Sequence, residues 1–124
     1  MATHPRLPDA ELEVMQALWS VGKYPAHSAE IMARLEKNWK APTMLKLLSR
    51  LEERGFVSCV KEGRSNGYTP LVDQADYLAE ESRSFVSRLH GGSVSALVAT
   101  LWQSHALTDR DLEELRALLE KGGE

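Results

Sequence analysis

Thr43, Lys46 and Arg50 stand three and then four residues apart within the stretch TMLKLLSRLEERG, residues 43–55. On a helix, that spacing stacks a hydroxyl and two cations on a single face. A Thr hydroxyl donates and accepts hydrogen bonds, a Lys ammonium only donates, and an Arg guanidinium donates through a planar fork. These are binding groups, suited to a polyanion. Met44, Leu47, Leu48 and Leu51 fall on the other side and form an inward stripe. A core helix with a solvated charged face has the same pattern, so the flanking elements must decide between the two readings.

Charge is unevenly spread along the chain. The 124 residues carry a formal net charge of −3. Residues 34–72 nevertheless hold eight basic groups (Arg34, Lys37, Lys40, Lys46, Arg50, Arg54, Lys61 and Arg64) against four acidic ones, and both flanking segments are net acidic. A positive middle on an acidic body points to a local polyanion-binding surface.

The elements around the cations read as follows. DAELEVMQALWSVG, residues 9–22, repeats Leu12, Met15, Leu18 and Trp19 at helical spacing and ends on a glycine. Pro8 and Asp9 suit its start. KYPAHSAEIMARLEKN predicts a turn at Pro25 and a short helix from Ser28, with Ile31, Met32 and Leu35 on one side. The third helix starts near Pro42 and stops at Gly55, a left-handed cap. FVSCV then reads as a strand, KEGRSNG as a hairpin connection and YTPLV as the returning strand, ended by Pro70.

Three helices followed by a two-stranded hairpin is the order of a winged helix-turn-helix module, expected over residues 1–72. In that motif the second helix enters the DNA major groove and its N-terminal residues reach base edges. Thr43 and Lys46 are therefore expected at base edges or adjacent phosphates, with Arg50 further along on a phosphate. Lys40, just before the helix, and Arg64, at the tip of the wing, are expected on phosphate or in the minor groove. Leu45 complicates this face: it either touches thymine methyls or packs on the neighbouring helix.

From Asp73 onward the chain reads as three short amphipathic helices. Tyr77, Leu78, Phe85, Val86 and Leu89 stripe the first; Val94, Leu97, Val98, Leu101 and Trp102 the second; Leu112, Leu115, Leu118 and Leu119 the third. Ser93 suits a cap, as do Thr108 and Asp111 together. Helices this short make a poor core alone and leave an apolar stripe that a second copy of the chain covers most simply. The expected fold is mainly α with a small β-hairpin wing: an N-terminal winged helix-turn-helix and a helical dimerisation region over 73–124. Leu97, Leu101, Leu112, Leu115 and Leu118 are expected to pack across the homodimer.

Composition narrows the function classes. With 43% hydrophobic and 27% charged residues the chain reads as an ordinary soluble protein. No stretch is apolar enough for membrane insertion, and no secretion signal opens the chain. The single cysteine, Cys59, reads as a small hydrophobe in a strand and agrees with a reducing cytoplasm. His4, His27, His90 and His105 show no metal-ligand spacing, and no phosphate loop, nucleophile elbow or Cys/His pair is present. No catalytic group, metal or cofactor is expected. The rival to a DNA reader is a winged-helix protein-interaction module, which does not need the cationic helix face and basic wing.

The stretches DAELEVMQALW (9–19), AEIMARLEKNWKAPTMLKLLSRLEERG (29–55), KEGRSNGYTPLVDQADY (61–77) and LTDRDLEELRALLE (107–120) resemble the penicillinase-repressor family, the BlaI/MecI/CopY group of winged-helix repressors. Trp39, Thr43, Leu47, Leu48, Arg50, Leu51 and Gly55, followed by Lys61–Arg64 and Tyr68–Pro70, carry the resemblance together. It implies a homodimeric repressor on a dyad-symmetric double-stranded operator, often of TACA/TGTA type, controlling antibiotic-resistance-type genes. In the family's β-lactam-responsive members, a membrane sensor-protease leads to cleavage in the dimerisation region. Two departures stand out: Pro42 replaces a lysine of some members, and Thr100-Leu101 replaces the Asn-Phe cleavage pair. The C-x-C site of copper-responsive members needs more than Cys59.

Overall fold

The computed structural model describes residues 4–122; residues 1–3 and 123–124, the outer ends of the two expected segments, lie outside the described residues. Helix α1 (Asp9–Val21) places Asp9 and Glu11 in its first turn, where the helix dipole favours acids, and stops at Gly22 with φ 72°. A two-residue strand β1 (Ala26–His27) leads into α2 (Ser28–Met32). Helix α3 (Ala41–Glu53) takes Pro42 into its first turn, where a missing N–H is harmless. Gly55, at φ 81°, then lets the chain leave the helix. Helix α2 is shorter than the sequence pattern suggests, and Leu35 packs against the core from the following coil.

Strands β2 (Val57–Glu62) and β3 (Ser65–Pro70) pair antiparallel from Val57 opposite Pro70 to Glu62 opposite Ser65. The connection is thus Gly63-Arg64 alone, tighter than the expected loop over 61–67. Gly63 at φ 64° occupies the first central position, the arrangement of a II′ turn, whose twist matches that of the flanking strands. β1 adds an unexpected third strand on the other side of β3, with Ala26 opposite Tyr68 and His27 opposite Gly67. That pairing requires a glycine: a Cβ on residue 67 would lie 2.7 Å from the Cβ of Pro25.

The core joins Val14, Met15 and Leu18 of α1 to Ile31, to the α3 stripe Met44, Leu47, Leu48 and Leu51, and to Phe56, Val57 and Tyr68. The predicted inward stripe of α3 is fully buried. Cys59 is half-buried on β2 and packs against this core.

The chain divides into two compact units, Met1–Glu81 and Ser82–Glu124. The first runs past residue 72 because Val72 and Tyr77 belong to its core. The Trp19 indole N–H donates to the Val72 carbonyl at 2.9 Å, the Leu7 N–H donates to the Tyr77 hydroxyl at 3.0 Å, and the Tyr77 and Phe56 rings meet edge-on. Helix α4 (Gln74–His90) therefore begins inside the first unit.

In the second unit, α5 (Val94–Gln103) is capped by Ser93, whose hydroxyl oxygen accepts from the Ala96 N–H at 3.1 Å. Helix α6 (Asp109–Gly122) is capped reciprocally: the Asp111 N–H donates to the Thr108 hydroxyl oxygen, and the Thr108 N–H donates to the Asp111 carboxylate. Neither α5 nor α6 buries a single side chain. Leu97, Leu101 and Leu112 are half-buried, whereas Leu115 and Leu118 are exposed, along with Phe85, Leu89, Val94, Trp102 and Leu119.

Candidate nucleic-acid interface

Helix α3 divides its surface sharply. Burial of Met44, Leu47, Leu48 and Leu51 turns Thr43, Lys46 and Arg50 outward, and all three are exposed. Lys40 is the N-cap residue of the same helix, in extended backbone with φ −80° and ψ 161°. Arg64 stands on a different element, in the two-residue turn at the hairpin tip. The helix thus brings four of the five expected contact residues together, while the wing carries the fifth.

The charges around α3 are arranged against the helix's own interest. Its first turn holds no acidic residue, although Lys40 stands at the N-cap position and Lys46 lies in the second turn. Cations at the positive end of a helix dipole are unfavourable unless an anion joins them. By contrast, α1, α2, α4 and α6 each carry an acid in the first turn. The N-terminal end of α3 is an electropositive site that the fold leaves uncompensated.

Hydrogen bonding and ion pairing sort the eight cations of residues 34–72 into two sets. Arg34 donates to the Ser20 carbonyl at 2.9 Å, and Lys37 lies 3.7 Å from the Glu13 carboxylate. Arg54, the C-cap residue of α3, reaches back to α1. Its Nε donates to Glu11 Oε1 at 2.7 Å and its Nη2 to Oε2 at 3.5 Å, and Glu11 is only 2% exposed. Among the described residues, Lys40, Lys46, Arg50, Lys61 and Arg64 have no acidic partner.

Lys61 was not singled out in the sequence, where it reads as part of a loop; the structure puts it on β2, exposed and directly opposite Asn66. His27, which shows no metal-ligand spacing in the sequence, is the N-cap residue of α2. Its backbone N–H does accept the capping role, donating to Glu30 Oε1 at 3.0 Å. Its ring also reaches the wing, with Nδ1 3.0 Å from the Asn66 carbonyl oxygen and 3.2 Å from the Ser65 hydroxyl. No sequence spacing links residues so far apart.

Comparison with known proteins agrees with this architecture. The sequence profile of the penicillinase repressor family matches residues 7–121. The chain belongs to the penicillinase repressor family. It is 33% identical over 119 residues to the penicillinase repressor of Bacillus licheniformis, covering 94% of this chain and 91% of that protein. It is 29% identical over 112 residues to the methicillin resistance regulatory protein MecI of Staphylococcus aureus (strain N315), covering 90% and 91% respectively.

Two solved structures of the family's BlaI repressor resemble the chain. The solution structure of the BlaI DNA-binding domain superposes with a TM-score of 0.51 at 35% identity, covering 62% of this chain and 94% of that one. The Bacillus licheniformis BlaI monomeric form in complex with the blaP half-operator gives 0.50 at 35% identity, with the same coverage. The family relatives are repressors, and the fold of this member is a winged helix-turn-helix followed by helices. Among the described residues no helix is long and apolar enough to cross a membrane, and no group of three or more His, Cys, Asp or Glu side chains is placed to hold a metal.

Proposed function

We propose that this member of the family is a sequence-specific transcriptional repressor that binds a dyad-symmetric DNA operator as a homodimer in the cytoplasm. The observation that carries the reading is the set of unpaired cations. Arg34, Lys37 and Arg54 are engaged by the fold, whereas Lys40, Lys46 and Arg50 on α3 and Arg64 on the wing are free and exposed. Thr43 and Lys46 meet base edges, and Lys40, Arg50 and Arg64 hold phosphates.

Dimerisation through Leu97, Leu101, Leu112, Leu115 and Leu118 is supported by the second unit's apolar exposure: Leu118 is 66% and Trp102 57% exposed. Linking two half-site readers raises avidity without new contacts. Relief by a sensor-protease acting near Thr100-Leu101, and control of antibiotic-resistance-type genes, are the finer parts of the same reading. That bond lies inside α5, so cleavage there requires α5 to open and severs Leu97 from α6.

The test is fluorescence anisotropy of the full chain on its own upstream DNA and on a scrambled duplex, at several salt concentrations. Two copies of three phosphate-holding cations predict an affinity loss on the order of 10^3-fold between about 50 and 200 mM salt. Saturation at two chains per duplex and preference for the upstream sequence are expected. Weak, salt-insensitive binding that is equal on both duplexes refutes the reading and favours a protein-interaction module.

A further inference from the structure

Leu45 lies in the N-terminal half of α3 and is 46% exposed. That exposure removes one of its two explanations, since a side chain packed on a neighbouring helix is covered. An isolated surface leucine is ordinary, but the neighbours of this one are not random. Pro42 precedes it by three residues and Ser49 follows by four, and both are exposed. The three form a row of uncharged side chains along α3, parallel to the row Thr43, Lys46 and Arg50.

The helix therefore presents two strips with different chemistry. One carries the hydroxyl and the cations; the other is neutral from Pro42 to Ser49, apolar at Pro42 and Leu45, and turns acidic only at Glu52 near the far end of the helix. A phosphate has no use for a leucine. The edge of a base pair in the major groove offers a single apolar group, the C5-methyl of thymine. We infer that Leu45, flanked by Pro42, reads a thymine methyl and so determines one base position in each half-site. The inference rests on the DNA-binding reading and adds a contact that discriminates by apolar burial rather than by charge.

The experiment first selects duplexes from a random-sequence library with the full-length chain. The tightest duplex is then remade with each thymidine replaced singly by deoxyuridine, which deletes only the methyl. At one position per half-site, deoxyuridine should weaken wild-type binding about fourfold, the worth of one buried methyl-sized group. Leu45→Ala should bind the thymidine and deoxyuridine duplexes alike. The ratio is measured within one protein, so any loss of active fraction in the variant cancels.

If no deoxyuridine substitution affects the wild type, or if Leu45→Ala keeps the full thymidine preference, the assignment of Leu45 is overturned while DNA reading stands. A selection that enriches no sequence overturns the DNA-binding reading, and the Leu45 contact with it.

Discussion

The Glu11–Arg54 pair should respond very unequally to loss of its two members. Glu11 is 2% exposed, and its carboxylate is held by Arg54 Nε at 2.7 Å and Nη2 at 3.5 Å. Arg54→Ala leaves a carboxylate inside the core without its counter-charge. Breaking a buried pair in this way costs roughly 3–5 kcal/mol. The Arg54 side chain is 36% exposed, so water reaches part of the site and the lower end, about 3 kcal/mol, applies. Glu11→Gln keeps the shape and leaves an Arg that can turn to solvent. Its cost is the difference between a charged and a neutral hydrogen bond, about 1 kcal/mol.

Urea unfolding of both variants at neutral pH, followed by circular dichroism, measures the asymmetry. A slope of roughly 1–3 kcal/mol per molar urea converts the Arg54→Ala loss into a midpoint shift of about 1–3 M. The double variant Glu11→Leu/Arg54→Met, which removes both charges and keeps apolar volume, should recover most of the lost stability. Glu11→Gln costing as much as Arg54→Ala refutes the reasoning, because the burial difference between the two side chains then has no energetic consequence.

Gly67→Ala should destabilise the first unit by about 2 kcal/mol through overpacking against the Pro25 ring and the Glu62 carboxylate, read as a thermal midpoint lowered by roughly 8–16 °C. Leu115→Asp should shift the full chain from dimer to monomer in light scattering and weaken operator binding while the first unit stays folded. A variant that remains dimeric refutes the placement of the interface. Arg50→Ala, which removes one phosphate contact from each copy, should reduce the salt slope of dimer binding by about 2, whereas Glu53→Ala should leave it unchanged, both read from anisotropy titrations. The Thr108 backbone N–H and hydroxyl hold the Asp111 carboxyl below its usual range. Its folded pKa is therefore the lower one, so the stabilisation of α6 is present above the ordinary carboxylate range and is lost as pH falls through the depressed value. Helicity followed by circular dichroism should show that acid step in the wild type and not in Asp111→Asn.

The local signals of this chain are strong where one residue type has one structural use. Gly22 and Gly55 end their helices in left-handed backbone, and Pro42 stands in a first turn, as their chemistry demands. The stripe Met44, Leu47, Leu48 and Leu51 is legible because burial on a helix repeats every three to four residues. Once that stripe is placed, the outward face with Thr43, Lys46 and Arg50 follows without further information. The hairpin is legible too, but its turn is not: KEGRSNG holds turn-forming residues at several positions, and only pairing against β3 selects Gly63-Arg64. β1 is invisible because a strand of two residues has no period.

The sequence by itself therefore determined the order of elements, the buried face of α3 and the pool of cations in residues 34–72. Only the tertiary structure decided which of those cations are free. Arg54 and Arg50 look alike along the chain, one capping α3 and the other in its last turn, yet Arg54 meets an acid 43 residues away, and Arg50 meets none. The physical reason is that a charge is neutralised by what lies within a few ångströms in space. Long-range packing of α1 against α3 sets that neighbourhood, and no spacing along the chain records it.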